Sequence, residues 1–215
     1  MELSAEKLQE NYNEFVSIVE KYISSPRKEK VLEMLEVIGV DMATTPASGK
    51  VHYHGAYPGG YLVHVLGVVK AAVKVMKLYE GIGGDCNFTP EELIFSALFH
   101  DLGKVGNGEK PAFIPQTSEW HQKNQGSRFI NNPEIDFMLV PDRSLYLLQK
   151  FGIPVSQKEY LAIKLHDGLF DESNKAYYIN FSPDARLRTN LVKVLHTADL
   201  LAAAAEYDLE HRNTD

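Results

Sequence analysis

Four side chains stand where an apolar helix face would ordinarily carry leucine or valine. His64 lies in YLVHVLGVV (61–69), His100 and Asp101 close IFSALFHD (94–101), and Asp199 lies in VLHTADLLAA (194–203). A buried ionised carboxylate is very costly without a partner, so each aspartate must meet a cation or become neutral. One divalent ion satisfies both acids and both imidazoles, and that donor set suits Mn, Fe, Co, Ni or Zn, with Mg also open. Each residue alone has a plainer explanation. A single histidine on an apolar helix is commonly just hydrogen-bonded, and Asp199 could pair with Lys193 or Arg188. The same anomaly on three helices favours the ion.

The elements that must position these residues read as helices. Leu8, Tyr12, Phe15, Val16, Val19 and Tyr22 recur at steps of three and four, which predicts a helix over Ser4 to Ile23, broken at Pro26. Others are expected over Lys28 to Ile38, Tyr61 to Tyr79, Glu91 to Leu102, Trp120 to Asn131 and Asp142 to Phe151. Thr89-Pro90-Glu91-Glu92 and Ser156-Gln157-Lys158-Glu159 have the form of capping boxes, the second opening a helix to His166. Ser182-Pro183 is expected to open a last helix to Glu206. Residues 44–60 and 103–116 read as loops, and Asp167 to Phe181 as a loop with an extended piece at Tyr177 to Ile179. No alternation suggests a sheet, and no repeat is present. The expected class is all-α, with a helical portion over 1–46 and the main domain over 47–215.

The chain has 215 residues, 44% hydrophobic and 24% charged, enough to bury a core without staples. The single cysteine, Cys86, excludes an internal disulfide. A formal charge of −7 argues against a basic coat for long nucleic acid. No apolar run reaches the roughly 20 residues of a membrane span. The opening segment lacks the basic and apolar regions of a secretory leader, so a cytoplasmic location is expected.

The contexts GGYLVHVLGV, ALFHDLGK and VLHTADLLAA, in that order, resemble the HD-domain metal-dependent phosphohydrolase superfamily. The resemblance spans roughly Gly55 to Glu206 and implies a helical bundle with the metal site between helices. It also implies that His64, His100, Asp101 and Asp199 hold a first ion. In dinuclear members, histidines in intermediate segments bind a second ion bridged by the Asp of the His-Asp pair, which would assign His121 and His166 here. The HDxGK form, His100 to Lys104, is similar to HD-type phosphodiesterases and exonucleases, where the Lys meets a substrate phosphate. The loop VHYHGAYPGG (51–60) is similar to the segment before the first ligand in bacterial HD-type 3′–5′ exoribonucleases. By that likeness His54 is a candidate substrate contact, and Tyr57 or Tyr61 a base-stacking ring. Arg186, with Arg188 and Lys193, could hold phosphate; Arg186 and Lys193 are seven apart, so on one helix face.

The function implied is hydrolysis of a phosphoester or phosphoanhydride in a nucleotide by metal-activated water, with Asp101 anchoring the metal and Lys104 holding an oxygen. Two alternatives stand beside it: a 3′–5′ exonuclease or phosphodiesterase on short oligonucleotides or cyclic dinucleotides, and an inactive HD fold used for binding. The partner expected is a phosphorylated small molecule. A homo-oligomer is left open.

Overall fold

The computed structural model describes residues 2–180 and 182–212; Met1, Phe181 (the end of the loop expected from Asp167) and residues 213–215 lie outside them. Two long helices come first, α1 (Ala5–Tyr22) and α2 (Arg27–Thr44). Ser4 caps α1 by accepting from the Lys7 amide, which satisfies a donor the helix itself leaves free. α2 runs six residues beyond the expected Ile38, since nothing in Gly39 to Thr44 breaks it.

The middle of the molecule is α3 (Gly60–Gly81) and α4 (Pro90–Phe99), the latter opened by a reciprocal Thr89–Glu92 capping box. A single 3₁₀ turn, Leu102–Lys104, follows the His-Asp pair. A two-stranded antiparallel hairpin, β1 (Phe113–Pro115) and β2 (Phe129–Asn131), holds α5 (Glu119–Gln125) between its strands, with Ile114 opposite Ile130. Two expectations fail here. The helix from Trp120 stops at Gln125 because Gly126 takes a left-handed conformation (φ 59°) and its amide returns to the His121 carbonyl. The residues beyond it then pair as a strand, so a small sheet exists.

The chain continues through α6 (Val140–Lys150), α7 (Gln157–Leu165), the four-residue α8 (Lys175–Tyr178) and α9 (Leu191–His211). The extended piece expected at Tyr177 is therefore largely helical. The last helix opens at Asn190, not at Ser182-Pro183, and runs past Glu206. Arg186 and Arg188 consequently precede it and share no helix face with Lys193. The class is all-helical apart from the hairpin.

α3 is the central helix, packed most extensively on α9 and also on α4, α1 and α2; α7 closes against α4 and α9. One buried cluster runs through all of them, from Phe15 and Val19 to Tyr61, Phe95, Phe99, Ile163 and Leu195. The helices over 1–46 thus bury side chains in the same core as the rest. A charged clasp ties three helix starts together. The Arg27 guanidinium donates twice from Nη1 to Glu159 (2.8 and 2.9 Å), pairs through Nη2 with Glu91, and lies 4.1 Å over the Phe95 ring.

Candidate metal centre

The C-terminal end of α4, the start of α3, the end of α7 and the middle of α9 meet at one buried point. They bring His64, His100, Asp101, His166 and Asp199 together. All but Asp199 are almost completely buried.

The three imidazoles are oriented alike. His100 Nδ1 donates to the Ala97 carbonyl (2.9 Å), His166 Nδ1 to the Ile163 carbonyl (2.8 Å), and His64 Nδ1 meets Glu206 Oε2 (3.1 Å). In the first two, the ring of a residue that follows a helix returns to the last turn, so the helix end fixes the ring. Every Nε2 then points inward. His64 Nε2 is 3.0 Å from Asp199 Oδ1 and 3.5 Å from Asp101 Oδ2. His100 Nε2 is 3.5 Å from Asp101 Oδ2 and 3.8 Å from Asp199 Oδ1. His166 Nε2 is 3.5 Å from Asp101 Oδ1. Tying Nδ1 back to an acceptor is how proteins hold an imidazole for a metal.

The site fits an ion on two further grounds. His100 Nε2 is buried and makes no hydrogen bond, an expensive state for a polar atom unless something occupies its lone pair. Ligand bonds of about 2.1 Å arranged tetrahedrally separate donor atoms by about 3.4 Å, and the separations above, 3.0 to 3.8 Å, bracket that value. Asp101 turns Oδ2 toward His64 and His100 and Oδ1 toward His166, as a bridging carboxylate would.

Its neighbours hold that aspartate. Lys104, one turn on, places Nζ 2.6 Å from Asp101 Oδ2. Burial opposes the charge on both, yet the pairing outweighs it: Lys104 is raised above the usual lysine range and Asp101 held well below the usual carboxylate range. Ser144 on α6, fully buried, donates to the His100 carbonyl (2.8 Å) and accepts from the Gly103 amide (2.8 Å), so it braces the turn from outside. His196, a turn before Asp199, donates to the His166 carbonyl (2.6 Å).

The titration pattern predicts how an ion enters. Burial lowers His100 to about 4 and His54 to about 3, so both are neutral at pH 7. Burial acts the same way on His64 and His166, but the carboxylates override it: Asp199 and Glu206 for His64, Asp101 and Asp167 for His166. Each is raised to about 9. At pH 7 both carry a proton on the nitrogen an ion would take. An ion that takes His64 Nε2 at neutral pH is therefore expected to release close to one proton, and a ligand role for His166 a second, with affinity rising about tenfold per pH unit per proton up to about pH 9. Calorimetry in buffers of different ionisation enthalpy counts them; zero release would remove both histidines from the ion's ligands.

Other residues singled out from the sequence fall elsewhere. His121 is exposed on α5, its Nδ1 2.8 Å from Ser118 Oγ, and is not gathered with the other histidines. None of the residues of α5 is buried, so the helix offers no inward face to place it. Tyr57 is 4% exposed and Tyr61 fully buried, so neither offers a ring face to a base; burial and then Glu210 push Tyr57 up to about 12. Arg186 lies at a separate cleft of about 730 Å³ with Lys158, Tyr177 and Arg188, and no residue of the buried cluster lines it. His54 does come close, its ring centroid 4.5 Å from that of His64. Glu206 was missed in the sequence, although it lies seven residues after Asp199 and so on the same helix face.

Comparison with protein-family models, with curated proteins and with solved structures matches none of them. The chemistry open to the site therefore rests on its own donors. Among the described residues, no helix is long and apolar enough to cross a membrane.

Proposed function

We propose that the chain is a metal-dependent phosphohydrolase of the HD type, cleaving a phosphoester or phosphoanhydride in a nucleotide or similar small molecule. One observation carries the reading: three imidazoles tied back through Nδ1 converge through Nε2 on Asp101 and Asp199, with Lys104 on the same aspartate. When bound, a divalent ion supplies Lewis-acid stabilisation of phosphoryl charge and acidification of water.

His64, His100, Asp101 and Asp199 would hold that ion, with His166 on the other oxygen of Asp101. Asp101 and Asp199 provide the negative charge that a cation needs in a buried place. Lys104 provides a compact cation that can follow an oxygen as charge grows on it. A recess of about 460 Å³ begins at Gly103 and Lys104 and reaches Phe113, Asn132, Phe137 and Arg143. That volume lies in the range of small-molecule sites, which supports a mononucleotide-sized substrate over a long strand. The acidic balance of the chain, −7, points the same way.

The reading is tested by a panel of nucleoside mono-, di- and triphosphates, cyclic dinucleotides and short oligonucleotides, assayed with Mn, Co, Ni, Zn or Mg. Asp101→Asn serves as the control. Turnover of one class by the parent chain alone is expected. Lack of any turnover in protein that carries stoichiometric metal rejects hydrolysis and leaves the binding-module alternative. Lys104→Met is expected to keep the metal and lower kcat about 10²–10³-fold, the scale of losing one charge-stabilising donor. An unchanged kcat would make Lys104 merely the counter-ion of Asp101.

A further inference from the structure

The α3–α9 side of the centre holds a second set of donors that the first ion does not use. His54 Nε2 and Glu206 Oε1 are both buried and neither makes a hydrogen bond. The two side chains are neighbours, with His54 Nε2 3.9 Å from Glu206 Oε2. Glu206 Oε2 is already engaged by His64 Nδ1 at 3.1 Å, which leaves Oε1 free. One donor atom from each of His54, His64 and Glu206 can be chosen so that all three lie within 4.8 Å of one another.

The surroundings keep these two side chains in place. The loop that carries His54 is pinned where it passes α9, the Gly55 amide donating to Glu210 Oε1 at 2.8 Å. The Gly55 carbonyl accepts from the Ala47 amide at 2.9 Å. On α3, Gly67 faces Glu206: a Cβ there would stand 2.7 Å from Oε1. A larger residue at 67 would push the carboxylate aside, so the glycine leaves it room. An imidazole nitrogen and a carboxylate oxygen left unpaired on neighbouring side chains are costly unless they find a partner. The side chains are 17% and 14% exposed, so the two buried donor atoms lie just beneath the surface.

We propose that His54 Nε2 and the Glu206 carboxylate hold a second divalent cation, beside His64 on its Nδ1 side. One imidazole, one carboxylate oxygen and open positions for water make a donor set for Mn²⁺ or Co²⁺, and a weaker one than the first. His64 then stands between two ions, its Nε2 turned to the first and its Nδ1 hydrogen-bonded to a ligand of the second. This differs from the expected second ion on His121 and His166. It does not depend on the hydrolysis reading.

Equilibrium dialysis of the ion-free chain against Mn²⁺, with elemental analysis, reads the number and affinity of ions. The parent chain is expected to bind one weak Mn²⁺ per chain beyond those held at the Asp101–Asp199 centre. His54→Ala is expected to lose that ion alone, and Asp101→Asn to keep it while losing the tight one. His54→Asn, which keeps a polar group on the loop, repeats the test should the alanine variant unfold. Equal Mn²⁺ stoichiometry and affinity in the parent and the His54 variant would overturn the proposal, whatever the outcome of the nucleotide panel.

Discussion

If the centre works as proposed, Asp101→Ala is expected to strip the protein of its tightly held metal and reduce phosphoester turnover by on the order of 10³-fold or more. That factor corresponds to the several kcal/mol of charge stabilisation an ion supplies, at about 1.4 kcal/mol per tenfold. The size of the effect follows from how much converges on one carboxylate. Its Oδ2 faces His64, His100 and Lys104, and its Oδ1 faces His166. Removing it also leaves Lys104 without its nearest counter-charge in a mostly buried place. Asp101→Asn keeps the shape and separates the two consequences. Elemental analysis, turnover and circular dichroism on both variants decide the matter. A variant that is folded, keeps a full complement of metal and turns over normally would remove Asp101 from the centre.

The largest effect on stability is expected far from that centre, at Arg27. Glu159 is fully buried and its carboxylate receives both Nη1 contacts of Arg27. Arg27→Met would leave it as an uncompensated buried charge, a loss of about 3–5 kcal/mol. The two acids on this guanidinium already differ. Burial dominates at Glu159 and raises it, despite the arginine. At the less buried Glu91, burial is outweighed by hydrogen bonds from Arg27 and Ser24, and the group is lowered.

Without Arg27, the folded-state pKa of Glu159 rises further above its unfolded value. Stability of the variant is then best where that acid is protonated and falls as pH increases. The deficit measured by urea denaturation should therefore shrink from about pH 8 to about pH 5. Adding Glu159→Gln should recover much of it at the alkaline end. A pH-independent deficit that Glu159→Gln does not relieve would locate the loss in the packing of Arg27 on Phe95.

The residues of the centre were legible in the sequence because each breaks a local rule. His64, His100, Asp101 and Asp199 are polar types on helices otherwise built for burial, and a single window shows that. The Thr89–Glu92 and Ser156–Glu159 boxes were legible for the same reason, since a cap is complete within four residues. Interactions that depend on distant segments were not. Ser144 reads as an ordinary helix residue until α6 is seen to lie on the His100–Gly103 turn. The β1–β2 hairpin is three residues per strand, too short for alternation to register, and its closure rests on a left-handed Gly126. His121 was assigned by likeness alone, and on α5, which has no buried residue, it stays at the surface. Glu206 was within reach, two turns beyond Asp199 on one face, yet its role needs the ring of His64 from another helix.

The convergence of chain segments around Asp101 has a mechanical meaning as well as a chemical one. Residues 64, 100–101 and 199 are far apart along the chain, and an ion held as proposed would join them as a three-way crosslink across long loops. At a free concentration about a hundred times its dissociation constant, a ligand that binds only the folded chain adds about 2.7 kcal/mol to stability. Resistance to proteolysis between α3 and α9 therefore becomes a gauge of occupancy that needs no substrate. A chelator should make that stretch cleavable.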